Sequence, residues 1–407
     1  MDTIKGVATF RAFGWVQEGI QHNNALLDFS QRPAYLLAMI QRWLIFILNI
    51  VIGILALVVT VLATQLRSNT GFTGASLVSL MSLGDGLTNL IRCYTMLETS
   101  IGAVARLKTF SEKTAPEDLP GETVVPPESW PETGRIEIKS VSASYADTQA
   151  VTEDQEDQPD LALRDLDLTI EPGQKVAICG RSGSGKSSTI LLLLRLLDPL
   201  PHCSGNMAID GIPLDTVDRT ALRRRVIAVP QDPVFLPDGT SFKTNLDPFG
   251  VASAAECQAV LEAVNLWDFV AQRDGLDAGM APDSLSQGQK QLFSLARAIL
   301  RRRVRARRTG AGADAEKSPI RGAGVLLLDE VSSSVDVATD KAMQKIIHAE
   351  FAGYTIVMVS HRLDMVMDFD QVVVMDAGRV VETGVPRELV EVEASRFRDL
   401  WLVGNGK

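Results

Sequence analysis

Gly180-Arg-Ser-Gly-Ser-Gly185-Lys186-Ser187 follows the apolar run KVAIC (175–179) and leads into STILLLLRLL (188–197). A strand, a glycine-rich turn and the start of a helix, in that order, make a loop whose backbone N–H groups turn inward around phosphate oxygens. The glycines allow the turn and the helix N-terminus adds its partial positive charge. Lys186 is placed for the β- and γ-phosphates of ATP, and Ser187 offers a hydroxyl to Mg2+. A chance match to this pattern in a chain of this length is on the order of one in a hundred, so an ordinary glycine-rich turn competes poorly. Gly180, Arg181, Ser182, Gly183, Ser184, Gly185, Lys186, Ser187 and Ser188 are the candidate ATP-binding segment.

Around this loop, from Gly134 onward, short β-like runs (RIEIKSVSASY, LDLTI, KVAIC, VIAVP, VLLLD, TIVMVS, QVVVM) alternate with helical stretches. That rhythm predicts an α/β domain with a parallel-sheet core, the early strands forming a separate antiparallel patch. Val325-Leu-Leu-Leu-Asp329-Glu330 reads as a buried parallel strand ending in two carboxylates at the sheet edge, where ligands bind. Asp329 is the candidate Mg2+ ligand; Glu330 is the candidate acceptor of a proton from the water that attacks the γ-phosphate. Alone, such a pair is as readily an exposed strand end; behind a phosphate loop that alternative weakens.

The first part of the chain has a different composition. Trp43 to Thr64 is uncharged throughout and as a helix reaches roughly the 30 Å of a bilayer core. A second span is expected near 72–96, although it carries Asp85 and Arg92, which in a membrane face a protein interior or a watery path; an amphipathic cytosolic helix is the alternative. Arg32, Arg42, Arg106 and Lys108 flank the outer ends and residues 67–70 form the short connection, so positive-inside counting puts both ends of this hairpin in the cytoplasm. Residues 2–41 read as a helical extension punctuated by Pro33, and TAPEDLPGETVVPPESWPE, with its repeated prolines, reads as an extended linker. The expected division is a partial transmembrane domain at 1–112, a linker at 113–131 and the α/β domain at 132–407. Two helices cannot enclose a substrate path, so if transport is the function, further helices are expected from another chain or from a portion of the protein outside this sequence.

The four cysteines show neither pairing nor metal-ligand spacing, and the formal net charge of −10 argues against a nucleic-acid partner. The acidic stretch at 152–160 and the basic one at 301–324 read as solvated loops. The latter could meet anionic lipid or RNA, but it lacks interleaved aromatics.

Between the two phosphate-site motifs stands Leu285-Ser286-Gln287-Gly288-Gln289, followed by KQLFSLARAIL. It resembles the LSGGQ signature of ATP-binding cassette (ABC) proteins. The resemblance extends to Gln231 in VPQDPVF (the Q-loop), Asp336 in SSVD (the D-loop), His361 in SHRLD (the switch histidine) and Tyr145 in ASY (the adenine-stacking position), all in family order. It implies an α/β P-loop cassette with a helical subdomain, preceded by an all-α transmembrane hairpin. It also implies that Gln231 senses Mg2+ and the attacking water, that His361 meets the γ-phosphate, and that the signature contacts ATP held by a second cassette. LSQGQ, NLDPFG (245–250), SQRPAYLLAMIQRW (30–43) and LETSIGAVARLK (97–108) look most like the C-terminal half of a class C, multidrug-resistance-associated transporter of filamentous-fungal type.

The expected function is therefore that of an ATPase coupled to export of small organic compounds, in a multi-pass protein of the plasma or vacuolar membrane with its cassette in the cytoplasm. Its partners would be membrane lipid, a second nucleotide-binding domain and the remaining membrane helices. A truncated, non-transporting membrane protein that binds ATP is the competing expectation. A soluble cassette acting on ribosomes or DNA is argued against by Trp43 to Thr64.

Overall fold

The computed structural model describes residues 6–65, 70–114, 116–145, 161–203, 206–308, 324–331 and 337–404. The chain divides into two compact units, Met1–Pro116 and Glu117–Lys407.

The first unit is helical: α1 (Val7–Phe13), α2 (Val16–Gln65) and α3 (Thr70–Lys113). The break between α1 and α2 falls at Gly14, which takes φ 72°. Its N–H donates to Arg11 O, and that of Trp15 donates to Phe10 O, which is the Schellman ending that a left-handed glycine permits. The punctuation expected at Pro33 is not there: α2 runs through it. Proline removes one hydrogen bond of the ladder, a local loss in a helix of 50 residues. Helices α2 and α3 approach closely at Gly84, where a Cβ would stand 3.0 Å from Ile52 Cδ1. The apolar side chains of 43–64 point outward, Trp43, Phe46 and Leu57 among them. Among the described residues α2 alone is long and apolar enough to cross a membrane. Most of the connection assigned to 67–70 lies outside the described residues.

The second unit holds two sheets. Strands β1 (Ile136–Ser144), β2 (Leu161–Ile170), β4 (Met207–Ile209) and β5 (Ile212–Pro213) form an antiparallel sheet of order β2-β1-β4-β5. Strands β3 (Lys175–Gly180), β6 (Ile227–Val229), β7 (Val325–Asp329), β8 (Thr355–Val359), β9 (Gln371–Asp376) and β10 (Arg379–Gly384) form the second, in the order β10-β9-β3-β8-β7-β6. Five of these are parallel; β10 pairs antiparallel at the edge. The helices are α4 (Lys186–Leu193), α5 (Arg219–Arg225), α6 (Phe242–Leu246), α7 (Ala254–Ala263), α8 (Trp267–Ala271), α9 (Gln287–Arg308), α10 (Val337–Glu350), α11 (Pro386–Glu391) and α12 (Arg396–Gly404).

The continuous apolar strands follow from burial on both faces. In β3, Ala177 and Cys179 join the core formed with α7, α8 and α9, while Val176 and Ile178 join the core formed with the antiparallel sheet and α4. Strand β7 divides in the same way, Leu326 and Leu328 to one side and Val325 and Leu327 to the other.

Two stretches differ from their expected loose character. The proline-rich segment before β1 is tied to the rest of the second unit: Glu122 accepts from Arg219 Nε at 2.7 Å and from Arg195, all three nearly fully buried. Val124 N–H donates to Thr216 O, and the buried Trp130 donates from Nε1 to Ile209 O at 3.0 Å. A buried carboxylate between two guanidiniums holds its place because losing either partner would strand a charge. The basic run 301–308 is not a solvated loop but the last two turns of α9. Arg301 donates to Arg223 O, Arg303 to Glu350, Arg305 to Ser129 O and Pro131 O, and Arg307 to Glu256. The rest of that insertion, 309–323, and the acidic stretch 152–160 lie outside the described residues.

Candidate active site

The loop 180–187 leaves the C-terminal end of β3, an interior strand of the parallel sheet between β9 and β8, and delivers the chain into α4. Its first and last glycines are steric requirements. At Gly180 (φ 153°) a Cβ would stand 2.3 Å from Met375 O; at Gly185 (φ 98°) it would meet Leu163 Cδ2 at 2.9 Å and Ala162 O at 3.0 Å. Lys186 is buried, and its Nζ donates to Gly180 O at 3.1 Å and Arg181 O at 2.8 Å. Three protons on that nitrogen leave one for a phosphate oxygen. Burial pulls the ammonium below the ordinary lysine value, and the charges of Glu330 and Asp329 oppose that pull. Cys179, beneath the loop, is pushed up to about 12 by burial and is therefore a neutral packing thiol.

Strand β7 lies two places from β3, with β8 between, yet its end reaches the loop: Ser187 Oγ donates to Asp329 Oδ1 at 3.0 Å. Burial raises the Asp329 carboxyl, Glu330 adds to the rise, and the Ser187 bond and Lys186 oppose it. Glu330 takes φ 45°, a left-handed conformation that a non-glycine residue holds only when its surroundings impose it. Its N–H donates to Val359 O, and both carboxylate oxygens are engaged. Gln231 Nε2 donates to Oε2 at 3.2 Å, and His361 Nε2 lies 2.5 Å from Oε1. Gln231 follows β6, Glu330 follows β7 and His361 follows β8, three adjacent strand ends on one sheet edge.

Lys186, Ser187, Gln231, Glu330 and His361 line one cavity of about 440 Å³ together with Tyr145, Ser182, Gly183 and Ser188. The Tyr145 ring is exposed at the mouth, its hydroxyl 2.9 Å from Ser188 Oγ. Leu285 to Gln289 are not among the lining residues. They form the start of α9, with Leu285 buried and Ser286 and Gln287 exposed. Asp336 lies outside the described residues.

Sequence reading missed two supports of this edge. Arg362, beside His361, pairs with the buried Asp340 at 3.0 Å, and the Asp-Arg pair could have been suspected only from the burial of Asp340. Gln291 donates from Nε2 to Gln231 O at 2.7 Å; its signal was a polar residue on the inward face of an amphipathic helix.

A nucleotide and a divalent cation fit what is present. The glycine cradle lets backbone come close to phosphates, and Ser187, Asp329 and Gln231 supply hard oxygen donors of the kind Mg2+ takes alongside phosphate and water.

Residues 163–304 match the family described as ABC transporter. The chain is 55% identical over 417 aligned positions to the ABC-type transporter braE of Annulohypoxylon truncatum, covering 99% of this chain and 28% of that protein. It is 57% identical over 404 positions to the ABC transporter FGM5 of Gibberella zeae, covering 98% and 27%. Among solved structures it is similar to a bacterial Atm1-family ABC exporter with ATP bound, at TM-score 0.73 and 23% identity, covering 99% of this chain and 65% of that one. That last likeness bears on the fold alone. The chain thus spans less than a third of the length of these curated relatives.

Proposed function

We propose that this chain, whose residues 163–304 match the ABC transporter family, is the nucleotide-binding, ATP-hydrolysing second cassette of a class C type exporter. Around it would stand further membrane helices and a second cassette. The observation that carries the reading is the meeting of Lys186, Ser187 and Glu330 in one cavity, with Asp329 bonded to Ser187 at its edge. Lys186 binds and orients the terminal phosphates. Asp329, Ser187 and Gln231 would hold Mg2+, which when bound supplies positive charge to the β- and γ-phosphates. Glu330, held at one oxygen by Gln231 and at the other by His361, accepts the proton of the attacking water. Tyr145 stacks on adenine, and Asp336 and the signature Leu285 to Gln289 meet the opposite cassette.

ATP binding would then close two cassettes and hydrolysis reopen them. The class C assignment is supported by LSQGQ, NLDPFG and the two flanking helix motifs, and the fungal origin of the relatives is in keeping with the filamentous-fungal part of the resemblance alone. The exported compound would be organic, amphipathic or anionic, and the membrane the plasma or vacuolar membrane. Helices α2 and α3 would both cross it, leaving the cassette in the cytoplasm.

The test is ATP hydrolysis and vesicle uptake by the full chain in membranes beside a candidate first half. Glu330→Gln is expected to keep ATP binding and lose about a hundredfold or more of turnover. Unchanged turnover in that variant removes the role of Glu330. Hydrolysis by the parent without uptake in any pairing leaves the other reading, a membrane-attached ATPase that does not transport.

A further inference from the structure

Gln291 sits on α9 one turn beyond the signature residue Gln287 and is 1% exposed. Its Nε2 donates to the backbone carbonyl of Gln231 at 2.7 Å, and the side chain of that same Gln231 donates to Glu330 Oε2 at 3.2 Å. A carbonyl can only accept, so the amide is fixed with its nitrogen toward Gln231. Its Oε1 is then buried without a partner among the described residues. A leucine or methionine would fill the same space without an unmet acceptor, so packing does not explain a glutamine here; the donated bond does. A second bond ties the same loop to the same helix, from Arg297 Nη1 to Val234 O at 2.6 Å.

We propose that Gln291 is a positioning residue that fixes Gln231 to the signature helix. Through it, the glutamine that holds Glu330 in one ATP site and the segment that would face the ATP of the opposite cassette move as a single body. The bond is made to the backbone of Gln231, so it sets where that residue's side chain starts from and leaves the amide free for Glu330. The inference rests on the ATPase reading above and gives that reading a physical route by which one nucleotide site reports to the other.

The test uses the full chain in membranes beside the half that completes its ATP sandwich. Gln291→Leu is expected to lower kcat roughly tenfold while ATP affinity stays within about twofold, and to raise hydrogen exchange across residues 231–236. In a Gln231→Ala background the same substitution should cost nothing further in kcat, because the side chain it positions is gone. Gln291→Met repeats the measurement with an unbranched side chain, should the leucine disturb packing. The proposal is overturned by unchanged kcat and exchange, by an equal tenfold loss in the Gln231→Ala background, or by both variants losing ATP binding along with turnover. A parent that hydrolyses nothing counts against the ATPase reading, and the exchange measurement then decides the positioning role alone.

Discussion

The N-terminus of α4 and that of α9 are closed by different means. Helix α4 follows Gly185, and no side chain caps it. Its first N–H groups face the loop and whatever the loop holds, so they remain orphan donors until an anion arrives. Helix α9 follows Ser286, whose hydroxyl accepts from Gln289 N–H at 3.2 Å while Gln289 Oε1 accepts from Ser286 N–H at 2.9 Å. This reciprocal box satisfies two donors within the helix itself. One start is left open to a ligand and the other is closed by its own side chains. The start of α9 is therefore closed without any ligand, whereas the first N–H groups of α4 stay open to one.

The sharpest way to break this comparison is at Lys186. Lys186→Ala removes a charge-assisted donor from the start left open to a ligand, and ATP affinity should fall on the order of thirtyfold in equilibrium binding. The melting temperature without nucleotide should change far less. An equal loss of stability without nucleotide would mean that the two carbonyl bonds of Lys186 are its main purpose. At the other start, Ser286→Ala deletes a cap and should lower stability by about 1 kcal/mol, seen in denaturant unfolding, with ATP affinity at the phosphate loop unchanged. Weakened binding at the loop would show the two starts to be more closely coupled than their caps suggest.

Much of the cassette was legible because its signals are local. KVAIC, VLLLD and TIVMV are apolar without interruption since both of their faces are covered, and Gly180 and Gly185 announce a turn that no side chain can enter. Strands β4 and β5 escaped notice because, at three and two residues, they lack the longer apolar run that marked the equally short β6 in VIAVP. The arginines of 301–308 read as solvated because charge ordinarily seeks water. What they meet are the carbonyls of Arg223, Ser129 and Pro131, distant in sequence and unreadable from it. The same limit hid the engagement of Glu330 by Gln231 and His361, which depends on the strand order β8-β7-β6. That α2 is long and apolar enough to cross a membrane was legible from its unbroken run at 43–64; in α3, Asp85 and Arg92 dilute the signal.

The smallest expected effect concerns Asp329 and has the opposite sign in stability and in function. Burial raises its carboxyl above the ordinary 3.8. Between that value and the raised one the folded chain binds more protons than the unfolded chain, so stability falls as pH rises through this window and remains lower above it. At neutral pH the ionised Asp329 thus opposes folding of the nucleotide-free cassette. Asp329→Asn keeps an acceptor for Ser187 and removes the charge, and should raise the melting temperature at pH 7 by about 1 °C. The gain should vanish in acid below the ordinary carboxylate range, where the parent is already protonated. With Mg2+ and nucleotide added the order should reverse, because only the parent gains a cation against its carboxylate, and hydrolysis by the variant should be lost. A lower melting temperature for Asp329→Asn at pH 7 without nucleotide would place the stabilising role of this residue in the apo fold. The contrast between a start open to a ligand at α4 and a self-closed one at α9 would then have to be redrawn around Ser187.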